Sequence, residues 1–149
     1  MTLHQEYNLR RISLGSNIGC VLIDWTADFG QWLDRLENDA ANDKPGARRR
    51  LALVTAQLQV LQDLDAVPEH ETATLKPVRQ SGQYQVWRVS HPYEAGIAVR
   101  LIVWFADDAH AVVALFAGDK ARIGDVFYES VGTRADAAIE QYKREKDRT

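Results

Sequence analysis

The run Ile97-Ala-Val-Arg-Leu-Ile-Val-Trp-Phe105 is the stretch of this chain that most limits its fold. At a period of two, Ile97, Val99, Leu101, Val103 and Phe105 share a core face, and Ala98, Arg100, Ile102 and Trp104 share the less buried one. Such a strand needs neighbours on its edges, and the adjoining sequence supplies them. Residues 84–90 and 111–117 are strand-prone, and Ala106-Asp-Asp-Ala-His110 joins the last two runs as a hairpin. Arg100 sits inside the most apolar of these strands. Burying its charge costs several kcal/mol unless it is paired or faces a cleft, so it is either part of an ion pair or the floor of an anion site.

Upstream, residues 1–17 read as a polar N-terminal extension, and residues 18–149 as a single domain. Ile18 to Trp25 is rich in strand formers. Asp28 with Gln31 has the spacing of a capping box, and Phe29, Trp32, Leu33 and Leu36 then follow on one helical face. Asn42-Asp-Lys-Pro-Gly46 breaks the chain, with Asp43 and Pro45 marking a second helix start. That helix carries Leu51, Val54, Leu58, Leu61 and Leu64 as a stripe. Pro77 permits at most an edge strand around 75–79, and Ser81-Gly82 signals a turn. Thr133 with Asp136 is another capping box, opening a charged C-terminal helix that runs through Lys146.

Strands that follow helices in runs predict an α+β fold. The expected architecture is a twisted antiparallel sheet of about four strands, with two N-terminal helices and a C-terminal helix. The apolar helical stripes would cover one sheet face and leave the other open and concave.

At 149 residues, 46% hydrophobic and 26% charged, the chain has the composition of an ordinary globular domain. No run approaches the roughly 20 apolar residues that cross a bilayer, so no membrane partner is expected. The first residues lack a signal-peptide core. The single cysteine, Cys20, rules out an internal disulfide framework and suits a reducing, cytoplasmic setting. A net charge of −3 weighs against broad nucleic-acid affinity, which needs clustered cations. His4, His70, His91 and His110 have no metal-ligand spacing and Cys20 has no CxxC partner, so neither metal nor cofactor is expected.

The candidate chemistry is basic. Arg88 in the first strand run and Arg100 in the second form a two-arginine patch if they face the same way, with Lys120 and Arg122 at its rim. Such a cluster binds phosphate and stabilises charge that builds on a phosphorane. Asp107, Asp108, Asp119, Asp125 and Glu129 are close in sequence and could instead neutralise these cations. Tyr128 reads either as a half-buried packing residue or as a catalytic phenol. Arg48-Arg49-Arg50 falls in early helical turns, where the helix dipole disfavours cations by a few tenths of a kcal/mol each.

The order of elements, with Tyr84-Gln-Val-Trp-Arg88, then Val99-Arg-Leu-Ile-Val103, then a strand ending Gly118-Asp-Lys120 before a C-terminal helix, resembles the RelE/ParE toxin superfamily over roughly residues 18–146. It is most similar to the RelE/HigB-like and phage-derived toxins. The resemblance implies the toxin component of a toxin-antitoxin system: a ribosome-dependent mRNA endonuclease that works by 2′-hydroxyl attack without metal and is neutralised by a cognate antitoxin. By position, Arg100 would hold the scissile phosphate, and Lys120 would stabilise the leaving group or the phosphorane. Arg122 and Tyr128 fall near the family's terminal basic and aromatic positions. The chain departs from the RelE branch at Gln85 and Trp87, where basic residues are frequent. That departure leaves an alternative open: a non-catalytic binding protein of the same fold, either a ParE-like gyrase inhibitor or a regulatory partner domain. A small-ligand or dimerisation domain with Arg100 in an ion pair is a third.

Overall fold

A computed structural model of the protein describes residues 22–65, 67–89, 99–106, 111–119 and 130–147. The described residues begin with strand β1 (Leu22–Trp25), helix α1 (Ala27–Ala41) and helix α2 (Ala47–Gln62). Strands β2 (Leu75–Pro77), β3 (Trp87–Val89), β4 (Val99–Phe105) and β5 (Ala111–Asp119) follow, and helix α3 (Val131–Asp147) closes the order.

Helix α1 starts at Thr26, not at the Asp28 box. The Thr26 hydroxyl accepts from the Phe29 amide at 3.1 Å and donates to the Leu115 carbonyl at 2.6 Å. One buried side chain therefore caps the helix and ties it to β5. Asp28 lies inside the first turn, where its charge still favours the helix dipole. Helix α2 begins after Gly46, which holds φ +76° and offers no side-chain cap, so Asp43 and Pro45 precede the helix without opening it. Its buried residues are Ala47, Leu53, Val54, Gln57, Leu58 and Leu61, while Leu51 and Leu64 are only half-buried.

Among the described residues the sheet has five strands, where about four were expected, in the order β1-β5-β4-β3-β2. Strands β2 to β5 pair antiparallel as expected, but β1 joins the far edge parallel to β5, which makes the sheet mixed. Pro77 ends β2 on the opposite edge, where its missing N–H costs no ladder bond. Of the expected strand over 84–90, residues 84–86 stay out of the ladder and Trp87–Val89 form β3, while Ser90 lies outside the described residues. The donors ahead of it are taken elsewhere: the Gln83 and Tyr84 amides by the Asp136 carboxylate at 2.8 and 3.2 Å, and the Val86 amide by the Ser81 hydroxyl at 3.1 Å.

Both faces of the sheet are covered. Against α1 and α2 lie Ile23, Leu75, Val89, Val99, Leu101, Val103, Val112 and Ala114, packed on Phe29, Leu33, Leu58 and Leu61. On the other face Ile102, Trp104, Val113, Leu115 and Phe116 pack with Val78 and Val86 against Val131, Ala135 and Ile139 of α3. The open concave face expected from the sequence is thus corrected: Ile102 is fully buried and Trp104 is 5% exposed. A bulge contributes to this second core. Ile102 pairs with Phe116 and Val103 with Ala114, so Leu115 is the extra residue. Leu115 and the adjacent Phe116 both join the α3 side as a result.

Helix α3 starts at Val131, two residues before the Thr133 box. Asp136 does not serve a capping box because its carboxylate already holds the 83–84 backbone. Among the described residues, no helix is long and apolar enough to cross a membrane.

Candidate functional site

Alternation in the sheet settles where two of the predicted site residues lie. Trp87 and Val89 pack toward the helical hairpin, so Arg88 between them points to the α3 side. Arg100 also points there, between Val99 and Leu101 of the hairpin-side core. The two arginines therefore share a face. Arg88 stands opposite Ile102, two residues along β4 from Arg100, a diagonal relation of about 7–8 Å between neighbouring strands.

Lys76 extends this row. It pairs directly with Arg88 across β2 and β3, a relation that brings Cβ atoms to about 5 Å. The signal was present in the sequence: Lys76 alternates with the buried Leu75 ahead of Pro77. It was missed because a three-residue strand shows too little period to assign a face. Lys76, Arg88 and Arg100 are all half-buried. Each arginine already has a partner within the fold, and one is explicit: Arg100 Nη1 donates to the Val99 carbonyl at 3.1 Å. Three cations on adjacent strands can grip consecutive phosphates, each through charge-assisted hydrogen bonds.

Lys120, Arg122 and Tyr128 lie outside the described residues, as do residues 1–17 and four of the nearby carboxylates, Asp107, Asp108, Asp125 and Glu129. Among the described residues no group of three or more His, Cys, Asp or Glu side chains gathers to hold a metal ion.

Two further clusters, neither legible from the sequence, join α3 to the sheet. The Tyr84 hydroxyl donates to the Glu140 carboxylate and accepts from Lys143 Nζ at 3.1 Å. Lys143 also lies 4.6 Å from the Tyr84 ring centroid and 5.6 Å from that of Trp104. On the same stretch of α3 the Tyr142 hydroxyl donates to Asp24 Oδ2 at 2.7 Å, beside a cleft of about 400 Å³ lined by Leu22, Asp24, Trp25, Ala111, Tyr142, Glu145 and Lys146. Asp24 is 7% exposed, and its other oxygen accepts from the Trp25 amide at 2.8 Å. Tyr142→Phe should therefore cost about 1–3 kcal/mol by removing a donor from a buried carboxylate. Urea unfolding of the two proteins measures this.

Where α3 crosses β5, the Arg134 guanidinium lies 4.0 Å from the Phe116 ring centroid. Burial holds its pKa below the ordinary arginine value, and the charge of Asp28 partly opposes that shift.

Comparison with known proteins finds no matching family model, no matching curated protein and no matching solved structure.

Proposed function

We propose that this chain is a RelE/ParE-like toxin that binds RNA phosphates with Arg88 and Arg100 and cleaves mRNA on the ribosome, in the cytoplasm, until a cognate antitoxin neutralises it. The observation that carries this reading is the register that sets both arginines on one sheet face with Lys76 beside them. The element order supports it as well: a strand, a helical hairpin, four antiparallel strands and a C-terminal helix.

In this mechanism the ribose 2′-oxygen attacks the adjacent phosphorus while the bond to the 5′-oxygen of the next nucleotide breaks. The 2′-hydroxyl gives up its proton and the 5′-oxygen gains one, leaving a cyclic phosphate and a 5′-hydroxyl. The extra negative charge of the phosphorane is met by the Arg100 and Arg88 guanidinium groups, which are fixed in a sheet and need little reorganisation. The resemblance assigns the leaving group or the phosphorane to Lys120, with Arg122 and Tyr128 near the family's terminal basic and aromatic positions. The chemistry needs no metal.

Induced expression of the wild type beside Arg100→Ala tests this, with mRNA ends mapped by primer extension. The expected result is growth arrest with ribosome-dependent cuts, and cleavage reduced about 100-fold or more in the variant. Intact mRNA in arrested cells would sink the nuclease reading.

One observation favours a second reading. Helix α3 fills much of the face that a nuclease of this kind would leave open, and Trp87 points away from the basic row. A non-catalytic binding protein, a gyrase inhibitor or a regulatory partner domain, accounts for that covering. It predicts arrest without cleavage, or no arrest from a folded protein.

A further inference from the structure

Gln57 is a polar residue in the buried stripe of α2. It is fully buried among Leu53, Val54, Leu58 and Leu61. Its Nε2 donates to the Val99 carbonyl at 2.9 Å, and its Oε1 is buried with no hydrogen-bond partner among the described residues. A half-satisfied amide in a core costs stability, and an apolar residue of similar size would avoid that cost. The position is therefore explained poorly by packing alone.

The oxygen that Gln57 engages is shared. Val99 carries the same carbonyl to which Arg100 Nη1 donates at 3.1 Å. Gln57 reaches it from the helical hairpin, and Arg100 reaches it from the side chain that projects toward α3. A carbonyl oxygen has two lone pairs, and here both layers use it. Fixing this oxygen from behind fixes where the arginine's Nη1 is held.

We propose that Gln57 is a positioning residue for Arg100, holding the Val99 carbonyl so that the guanidinium is oriented before the phosphate arrives. The proposal rests on the reading of Arg100 as a phosphate ligand. Gln57 touches no substrate and acts through the backbone of β4. Anchoring of this kind matters because a small displacement of a binding group weakens every contact it makes.

Gln57→Met keeps the length and removes the donor. The probe is a short 2′-O-methyl RNA, which binds but lacks the attacking hydroxyl. Affinities are measured over a salt series for wild type, Gln57→Met, Arg100→Ala and the double variant, alongside thermal melts. Gln57→Met is expected to bind about tenfold more weakly, the size of one charge-assisted contact. The slope of log K against log salt should fall by about 0.7, as for one lost phosphate contact on a single strand. Its melting temperature should stay level or rise, and the double variant should bind no more weakly than Arg100→Ala alone. Gln57→Asn keeps the amide but falls one methylene short of Val99, and it serves in the same way should the methionine variant not fold.

An unchanged slope in both Gln57 variants, with Arg100→Ala lowering it, would overturn the positioning role and leave the phosphate reading intact. An unchanged slope in Arg100→Ala itself would remove the phosphate ligand and the proposal with it.

Discussion

Phe29→Ala is expected to lower the unfolding free energy by about 3–5 kcal/mol. Phe29 has no exposed surface and belongs to the core between the sheet and the helical hairpin. Its ring is 6.0 Å from that of Trp25 at the end of β1 and 5.8 Å from that of Trp32 one turn along α1. Its amide is the one capped by Thr26. The ring cannot be replaced by collapse of its neighbours, because Trp25 is held in the sheet and Trp32 on the helix. A domain of this size is stable by about 5–15 kcal/mol, so the loss is a large share of the total. Urea denaturation should show a lower midpoint at an unchanged slope, and the melting temperature should drop by about 10 °C. A loss below about 1 kcal/mol would mean that α1 is not seated on the sheet through this ring.

Period and chain punctuation carried most of the fold. The alternation of β4 is readable because all seven of its residues repeat it, and Leu101, Val103 and Phe105 do meet the helical hairpin. Pro77 could be placed at an edge because its missing N–H forbids an inner strand. What stayed hidden depends on residues far apart in the chain. Thr26 outcompetes Asp28 as a cap because its hydroxyl also finds Leu115, 89 residues away. Nothing local to β1 announces that it will lie parallel to β5. Helix α3 is highly charged, so its thin stripe of Val131, Ala135 and Ile139 gave little warning that it covers a second core.

The candidate site divides in the same way. That Arg88 and Arg100 share a face depended on the register between β3 and β4, which alternation within each strand leaves open by one residue. Once the register is set, Lys76 joins them through its pairing with Arg88. The Val99 carbonyl shared by Gln57 and Arg100 lies beyond any sequence pattern, since it links a helix residue to a strand 42 positions later. The same bond makes the site depend on the hairpin side of the fold. A change on α2 is therefore able to act on a cation that faces α3.

Gly132→Ala sets two known effects against each other. In a helix, alanine is favoured over glycine by up to about 1 kcal/mol, so on propensity alone the substitution stabilises α3. Packing predicts the reverse. A Cβ at this position would stand 2.3 Å from the Gln80 carbonyl oxygen and 3.0 Å from the Gly82 nitrogen. Both are backbone atoms and cannot rotate away as a side chain would. The segment they belong to is itself held, since Asp136 binds the next two amides and the Ser81 hydroxyl donates to the Val78 carbonyl at 2.7 Å. Either the first turn of α3 lifts from the 80–82 backbone or that backbone moves, and overpacking of this sort costs about 1–3 kcal/mol. The clash should win because Gly132 lies in the first turn, where the propensity gain is smallest, and the net expectation is a loss of about 1–2 kcal/mol in urea unfolding. Gly82→Ala is the informative companion. Its Cβ would meet Asp136 Oδ2 at 2.3 Å, a side chain able to swing aside only by releasing the Gln83 and Tyr84 amides. Stabilisation by Gly132→Ala would show that propensity decides and that α3 does not rest on this loop, and the second sheet face would then be less firmly covered than its packing indicates.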